Sequence, residues 1–291
     1  MTDYAIEVTG LRKVYKGFAL KDVSFSLPRG YVMGLIGPNA AGKTTVIKLL
    51  MNLIRRHAGE IRIFGLDNRA AEAEVKSRIG FVYDVACFFG DVTLRDHALA
   101  IAPFYPRWSD ERFRRLAGEF DLPLGKRFKT LSLGMQTKFA LALALSHEAD
   151  LLIMDEPTAG LDPVFRRDLL RRLAALMQDE RRSILFSTHI TTDLERIADF
   201  VTFIRDGEIV FSLGKDELLD TWAIVKGDDG ALRALDPAIC RGTRRGPYGV
   251  EILTSDARAA RERLGSNTVI DKATLEDVMI LMAKDGGRRA A

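Results

Sequence analysis

Two cysteines in 291 residues, Cys87 and Cys240, are too few to staple a fold, so both are expected to be free, and they fit a reducing compartment as well as any other. The longest apolar run, around Phe139 to Leu145, falls far short of the roughly 20 residues that cross a bilayer, so any membrane role belongs to another chain. Charge of one sign is missing too. With 43 Lys and Arg against 40 Asp and Glu, the formal charge of +3 lacks the basic excess of a dedicated nucleic-acid binder, and no nucleic-acid partner is expected. The opening stretch MTDYAIEVTGLRKVY has neither the basic n-region nor the apolar h-region of a secretory signal, which points to the cytosol. There is no internal repeat and no low-complexity linker. What is present is 47% apolar residues, enough to bury a core in one large domain with an appendage.

Residues Tyr4 to Leu27 read as strand, turn, strand, and Gly30 to Ile36 as a buried strand entering a glycine-containing loop. From Lys43 to Ile54 the apolar residues Val46, Ile47, Leu49, Leu50, Leu53 and Ile54 recur at helical spacing. The runs DLLIM (Asp150 to Met154) and SILFS (Ser183 to Ser187) read as strands buried between helices, hence an α/β fold with a parallel sheet. Between Asp91 and His147 the pattern is mostly helical, with Ser109 and Ser132 placed to cap two of the helices. After about Thr221 the texture changes: WAIVKG, YGVEILTS and NTVIDKA read as strands, ARAARERLG and LEDVMILMAKDG as helices. The expected organisation is residues 1–221 as the main domain, with a helical subdomain at about 87–147, then a small α+β appendage at 222–285 and a disordered tail at 286–291.

The segment GPNAAGKTT, Gly37 to Thr45, has Gly, four residues, then Gly-Lys-Thr, between a predicted strand and a predicted helix. Backbone N–H groups of Gly37, Asn39, Ala40, Ala41, Gly42, Lys43, Thr44 and Thr45, together with the positive end of the helix dipole, can form an anion nest. Lys43 adds a point charge at the outer phosphates and the Thr44 hydroxyl can ligate magnesium, which points to ATP with Mg2+. In LLIMDEPTAGLDP, Leu151 to Pro163, an apolar strand ends in two acids that belong at the carboxyl edge of the sheet. Asp155 is placed to hold magnesium and Glu156 to polarise the attacking water; the competing reading of the pair alone is a solvated strand end.

With these two motifs the chain resembles the ATP-binding-cassette (ABC) family, whose further marks follow in order: LSLGMQ at Leu131 to Gln136, AGLD at Ala159 to Asp162 and STHI at Ser187 to Ile190. The resemblance covers about residues 4 to 221. It implies a P-loop NTPase fold of the ABC type, with an antiparallel β subdomain and an inserted helical subdomain. It further implies that Ser132 and Gly134 contact ATP held by the opposite subunit of a head-to-tail dimer, with itself or a homologous cassette. His189 resembles the family's switch histidine, which contacts the γ-phosphate. Asp162 resembles the loop residue that communicates between paired sites, or else belongs to a turn ending at Pro163. Tyr15 matches the aromatic that stacks on adenine, or else is a core tyrosine.

Three positions depart from the pattern: Ala40 and Leu133, each where glycine is usual, and Asp84, where a Gln or Glu is typical. Ala40 is tolerated at negative φ and strained in a left-handed position. Asp84 is too short to reach magnesium from the same backbone position without a shift, so a water-bridged contact or none is expected. Cys87, Phe88 and Phe89 belong either to a groove that receives a helix of a membrane subunit or to the core.

The resulting expectation is an ATP-hydrolysing subunit, a peripheral protein on the cytoplasmic face of the cell membrane that powers export through separate transmembrane permease subunits. The stretches FYPRWSDERFRR, LSLGM and STHITTDLERIAD resemble export-type bacterial cassettes, including those serving peptides. The alternatives are a soluble cassette ATPase acting in translation or DNA repair, an import-type subunit, or a regulator with a dead site. The single cassette and the short helical region between Lys43 and Ser132 disfavour the soluble role, and the full set Lys43, Thr44, Asp155, Glu156 and His189 disfavours the dead site.

Overall fold

The computed structural model describes residues 3–83, 88–247, 249–265 and 268–284. Asp84 and Cys87 lie outside them. A hairpin of β1 (Tyr4–Tyr15) and β2 (Phe18–Pro28) turns at Gly17. Then β3 (Val32–Ile36), buried at every position, runs into the Gly37–Gly42 loop and α1 (Lys43–Leu50). Next come β4 (Ala58–Ile63), β5 (Leu66–Asp67), α2 (Glu72–Ser77) and β6 (Ile79–Val82). Three helices follow, α3 (Leu94–Ile101), α4 (Asp110–Glu119) and α5 (Leu133–Leu145), capped by Thr93, Ser109 and Ser132. The chain returns to the sheet with β7 (Leu151–Asp155), α6 (Pro163–Leu176), β8 (Ser183–Ser187), α7 (Thr191–Ile197), β9 (Phe200–Arg205), β10 (Glu208–Gly214) and α8 (Lys215–Thr221). It closes with β11 (Ala223–Gly227), α9 (Asp229–Ala234), β12 (Cys240–Gly246), β13 (Gly249–Thr254), α10 (Ala257–Leu264), β14 (Val269–Lys272) and α11 (Leu275–Lys284).

The central sheet has the order β10-β9-β3-β8-β7-β6, parallel except for the antiparallel edge strand β10. Both faces are buried, and the side-chain period of two sorts the strands between two cores. Val32, Ile36, Leu152, Met154, Ile184 and Phe186 face the helices α3 to α6. Met33, Leu35, Leu151, Ile153 and Leu185 face α1 and the antiparallel sheet β2-β1-β4-β5. Gly34 is required at mid-strand: a Cβ there would meet Leu194 Cδ2 of α7 at 1.9 Å. The register matters most for function. Ser187 of β8 pairs with Leu35 of β3 on one side and Asp155 of β7 on the other, so the carboxyl ends of three adjacent strands meet.

The helix expected to reach Ile54 stops at Leu50. Asn52 adopts φ +50°, its N–H bonds to Leu49 O (3.1 Å), and Leu53 N–H bonds to Lys48 O (2.8 Å), a Schellman stop with asparagine in the glycine position. The terminal sheet β12-β13-β11-β14 has a small core of its own around Val225, Leu235, Val250, Ile252 and Ala260. Its helix α11 also packs on α7, and Leu275, Val278, Leu281 and Met282 share one core with Leu194, Ala198, Val201 and Phe203. Trp222 bridges the two regions, its ring 5.0 Å from Phe211.

Candidate active site

The loop after β3 approaches other backbone so closely that only glycine fits at its base. Gly37 has φ +155°, and a Cβ there would lie 2.0 Å from Ile204 O. Gly42 has φ +117° at the start of α1. Ala40 has φ +62°, the strained alternative named above. Asn39 and Ala40 are exposed, Ala41, Gly42 and Lys43 are buried, and Thr44 and Thr45 are half-buried, so the loop and the first turn of α1 form a shallow cup. Lys43 donates from Nζ to the carbonyls of Gly37 (2.9 Å) and Pro38 (3.2 Å). Burial pushes its pKa below the ordinary lysine value, against the opposing pull of the Glu156 and Asp155 carboxylates.

Asp155, the last residue of β7, is 1% exposed. It accepts from Thr44 Oγ1 at 2.8 Å through one oxygen and from the Ser187 hydroxyl through the other. Ser187 Oγ also accepts from the Glu156 N–H at 3.0 Å, so one hydroxyl ties both acids to β8. Glu156 stands at φ +48°, a second strained position in the same cluster. Its Oε2 lies 2.8 Å from His189 Nδ1 and accepts the His189 backbone N–H at 3.3 Å. Lys43, Thr44, Asp155, Glu156 and His189 are therefore brought to one edge of the sheet.

This arrangement suits the binding of a polyphosphate and the polarisation of a water beside it. A family model described as "ABC transporter" matches residues 20–159, and a model described as an AAA domain matches residues 127–192. The bacitracin transport ATP-binding protein BcrA of Bacillus licheniformis is 32% identical over 220 residues, 73% of this chain and 71% of that protein. The ABC transporter ATP-binding protein NatA of Bacillus subtilis is 31% identical over 227 residues, 76% of this chain and 91% of that one. The chain belongs to the ABC transporter ATP-binding family. A solved structure described as an ATP binding subunit of an ABC transporter agrees, with a TM-score of 0.68 at 29% identity over 74% of this chain and 92% of that one. As an ABC ATP-binding subunit, the protein is an ATP hydrolase.

The remaining predicted positions of this ABC subunit lie on other elements. Ser132 caps α5, its hydroxyl accepting from Met135 N–H at 3.3 Å, and Leu133 beside it is exposed. A Cβ on Gly134 would lie 3.3 Å from Gly160 O, so α5 begins against the loop that leaves β7. Asp162 caps α6, accepting from Val164 N–H (3.1 Å) and Phe165 N–H (2.9 Å), with Pro163 in the first helical position. Those amides, Phe165's first, hold its carboxyl below the usual carboxylate range. Tyr15 is half exposed at the end of β1, with Lys13 Nζ 5.0 Å from its ring centroid. Phe88 packs on His97, Phe128 and Phe139, whereas Phe89 is exposed.

Two side chains that support this cluster, Ser187 and Asp193, have no individual signal in the sequence. Ser187 was legible only as part of STHI. Asp193, 1% exposed on α7, accepts from Thr158 Oγ1 (2.8 Å) and from Arg166 Nε (2.8 Å). Together these groups tie the loop after Glu156 to α6 and to the helix that follows His189.

Proposed function

We propose that this ABC subunit powers export through separate transmembrane subunits, by ATP-driven closure and hydrolytic reopening of a head-to-tail dimer on the cytoplasmic face of the membrane. The observation that carries the reading is the Glu156–His189 contact of 2.8 Å beside Lys43. Glu156 serves as the base that polarises the attacking water, and His189 carries the γ-phosphate contact while holding that carboxylate in place. Lys43 and the loop amides hold the phosphates, and the ring of Tyr15 stacks on the adenine.

Thr44 Oγ1 and Asp155 Oδ2 offer two hard oxygen donors 2.8 Å apart, which fits magnesium. Thr44 and Asp155 would hold the ion together with oxygens of the nucleotide; among the described residues there is no group of three or more His, Cys, Asp or Glu that could hold a metal by itself. The bound ion neutralises phosphate charge. Ser132 and Gly134, at the amino end of α5, meet the γ-phosphate of ATP held by the opposite copy, and Asp162 lies where the two copies meet.

Among the described residues no helix is long and apolar enough to cross a membrane. A groove of about 390 Å³ between β6 and the helical subdomain is lined by Leu53, Phe81, Tyr83, Phe88, Phe104 and Tyr105, and Phe104 is 76% exposed. An apolar helix of a membrane subunit fits that groove. Two relatives named as bacitracin transport ATP-binding proteins support a peptide class of cargo. The test is Glu156→Gln. It is expected to bind ATP, accumulate as a dimer by size-exclusion chromatography and lose at least about 100-fold in turnover. Unimpaired turnover refutes the assignment of the base.

A further inference from the structure

We propose a second anion site in this subunit, a hollow beside the active site that takes inorganic phosphate. The hollow, about 360 Å³, lies between the first turn of α6 and the outer face of α7, and is lined by Pro163, Val164, Arg166, Arg167, Thr192 and Arg196. Half of its lining is arginine, and no carboxylate lines it. The acids nearest in sequence are otherwise engaged or placed. Asp193 is buried beneath Arg166, Asp168 pairs with Arg172 at 2.7 Å, Asp162 caps α6, and Glu195 lies on α7 outside the lining. Among the described residues neither Arg167 nor Arg196 has an ion-pair partner, although both are exposed and the chain has nearly as many acids as bases. Two unpaired guanidinium groups facing a third repel one another, and that cost is relieved by a bound anion.

Phosphate fits better than a carboxylate for two reasons. The guanidinium forks of Arg167 and Arg196, neither of them ion-paired among the described residues, together with the Thr192 hydroxyl present more donors than two carboxylate oxygens accept. The protein's own reaction also releases phosphate, and the turn that carries His189 leads directly into α7.

Occupancy of the hollow has a route back to the site. Arg166 is shared: its Nε is 2.8 Å from Asp193 Oδ1, and its terminal nitrogen donates to Thr192 Oγ1 at 3.0 Å, inside the hollow. A phosphate that engages Arg166 competes with Asp193, which holds Thr158 in the loop after Glu156. Phosphate therefore slows turnover without competing with ATP. That link to turnover rests on the assignment of Glu156 and His189, whereas binding itself does not.

The experiment titrates inorganic phosphate into the full chain saturated with a non-hydrolysable ATP analogue, so that the phosphate loop is filled, and follows the 31P line width of free phosphate. Wild type is expected to broaden the line in the millimolar range, and Arg167→Gln/Arg196→Gln to bind about tenfold more weakly. In the absence of added phosphate the double variant is expected to keep wild-type ATP turnover, which shows that it folds. In wild type, phosphate is expected to lower kcat at unchanged KM for ATP, an effect lost in the double variant. Equal line broadening in the two proteins overturns the site. If phosphate binds neither protein and the double variant no longer forms the ATP-bound dimer, the arginines hold a carboxylate of the second copy and the phosphate assignment fails. If binding differs as expected but turnover is insensitive to phosphate, the site stands and its coupling to Glu156 and His189 is refuted.

Discussion

Replacing Ser187 by alanine removes the one hydroxyl that Asp155 and Glu156 share, while leaving every proposed nucleotide contact in place. In the native chain Ser187 Oγ donates to Asp155 and accepts the Glu156 N–H at 3.0 Å. The second of these has a substitute, because the Glu156 N–H also reaches Ser187 O at 3.2 Å. The first has none. Asp155 is 1% exposed, so water cannot replace the lost donor at that oxygen, and Thr44 already occupies the other. A hydrogen bond to a charged group contributes about 1.5–3 kcal/mol, so Ser187→Ala is expected to cost about 2 kcal/mol of stability. For a chain of this size that lowers the melting temperature by roughly 4–8 °C, read by scanning calorimetry without nucleotide. In an Asp155→Asn background, where the acceptor is neutral, the same substitution is expected to cost about 1 kcal/mol less, which isolates the pair. A Ser187→Ala midpoint within about 1 °C of wild type refutes the reasoning.

Two further outcomes follow from strain and burial. Ala40 at φ +62° carries about 1–2 kcal/mol of left-handed strain, part of which glycine returns through its freer unfolded chain. Ala40→Gly is therefore expected to raise the melting temperature by about 2–4 °C, measured by thermal unfolding without nucleotide, and a lower midpoint contradicts the strained geometry. His147, stacked on Tyr105 at 4.0 Å, has a pKa of about 4, lowered by burial first and then by the charges of Arg107 and Arg112, against the pull of Asp150. The unfolded chain takes up that proton near pH 6.5, so stability is complete above that pH and is lost as pH falls toward the folded value. Between pH 7 and pH 5 the loss from this residue is about 2 kcal/mol, and His147→Phe, which keeps the stack, is expected to remove it in urea unfolding at the two pH values.

Much of this architecture was legible in the sequence because the signals are local. The apolar run before Gly37, the Gly-Lys-Thr turn and the acids after Leu151–Met154 each combine a period, a boundary and a charge within a dozen residues. The caps at Ser109 and Ser132 are equally local. What escaped depends on neighbours far along the chain. Ser187 matters because β8 lies between β3 and β7, an order that linear spacing does not show. Asp193 matters because α7 crosses Gly34 and meets Arg166 of α6. The helical spacing runs past the end of α1 through Leu53 and Ile54, while the left-handed turn at Asn52 sends the chain elsewhere. Strand β12, with the sequence CRGTRRG, shows no alternation; it gains its place from pairing with β13 and packing on α11. Across the break in sequence texture near Thr221, Leu218, Trp222, Ile224 and Leu281 belong to one continuous core.

The central claim is that each active site is built from two copies, with Lys43 and Glu156 from one and Ser132 from the other. The most direct measurement mixes two full-length variants, Lys43→Ala and Ser132→Arg, and follows phosphate release. Each alone is expected to be inactive, since every site lacks one required half. In an equal mixture half of the dimers pair unlike chains, and each of these has one intact site, so about one quarter of the wild-type activity returns. A Ser132→Arg protein that hydrolyses ATP alone at the wild-type rate contradicts the claim.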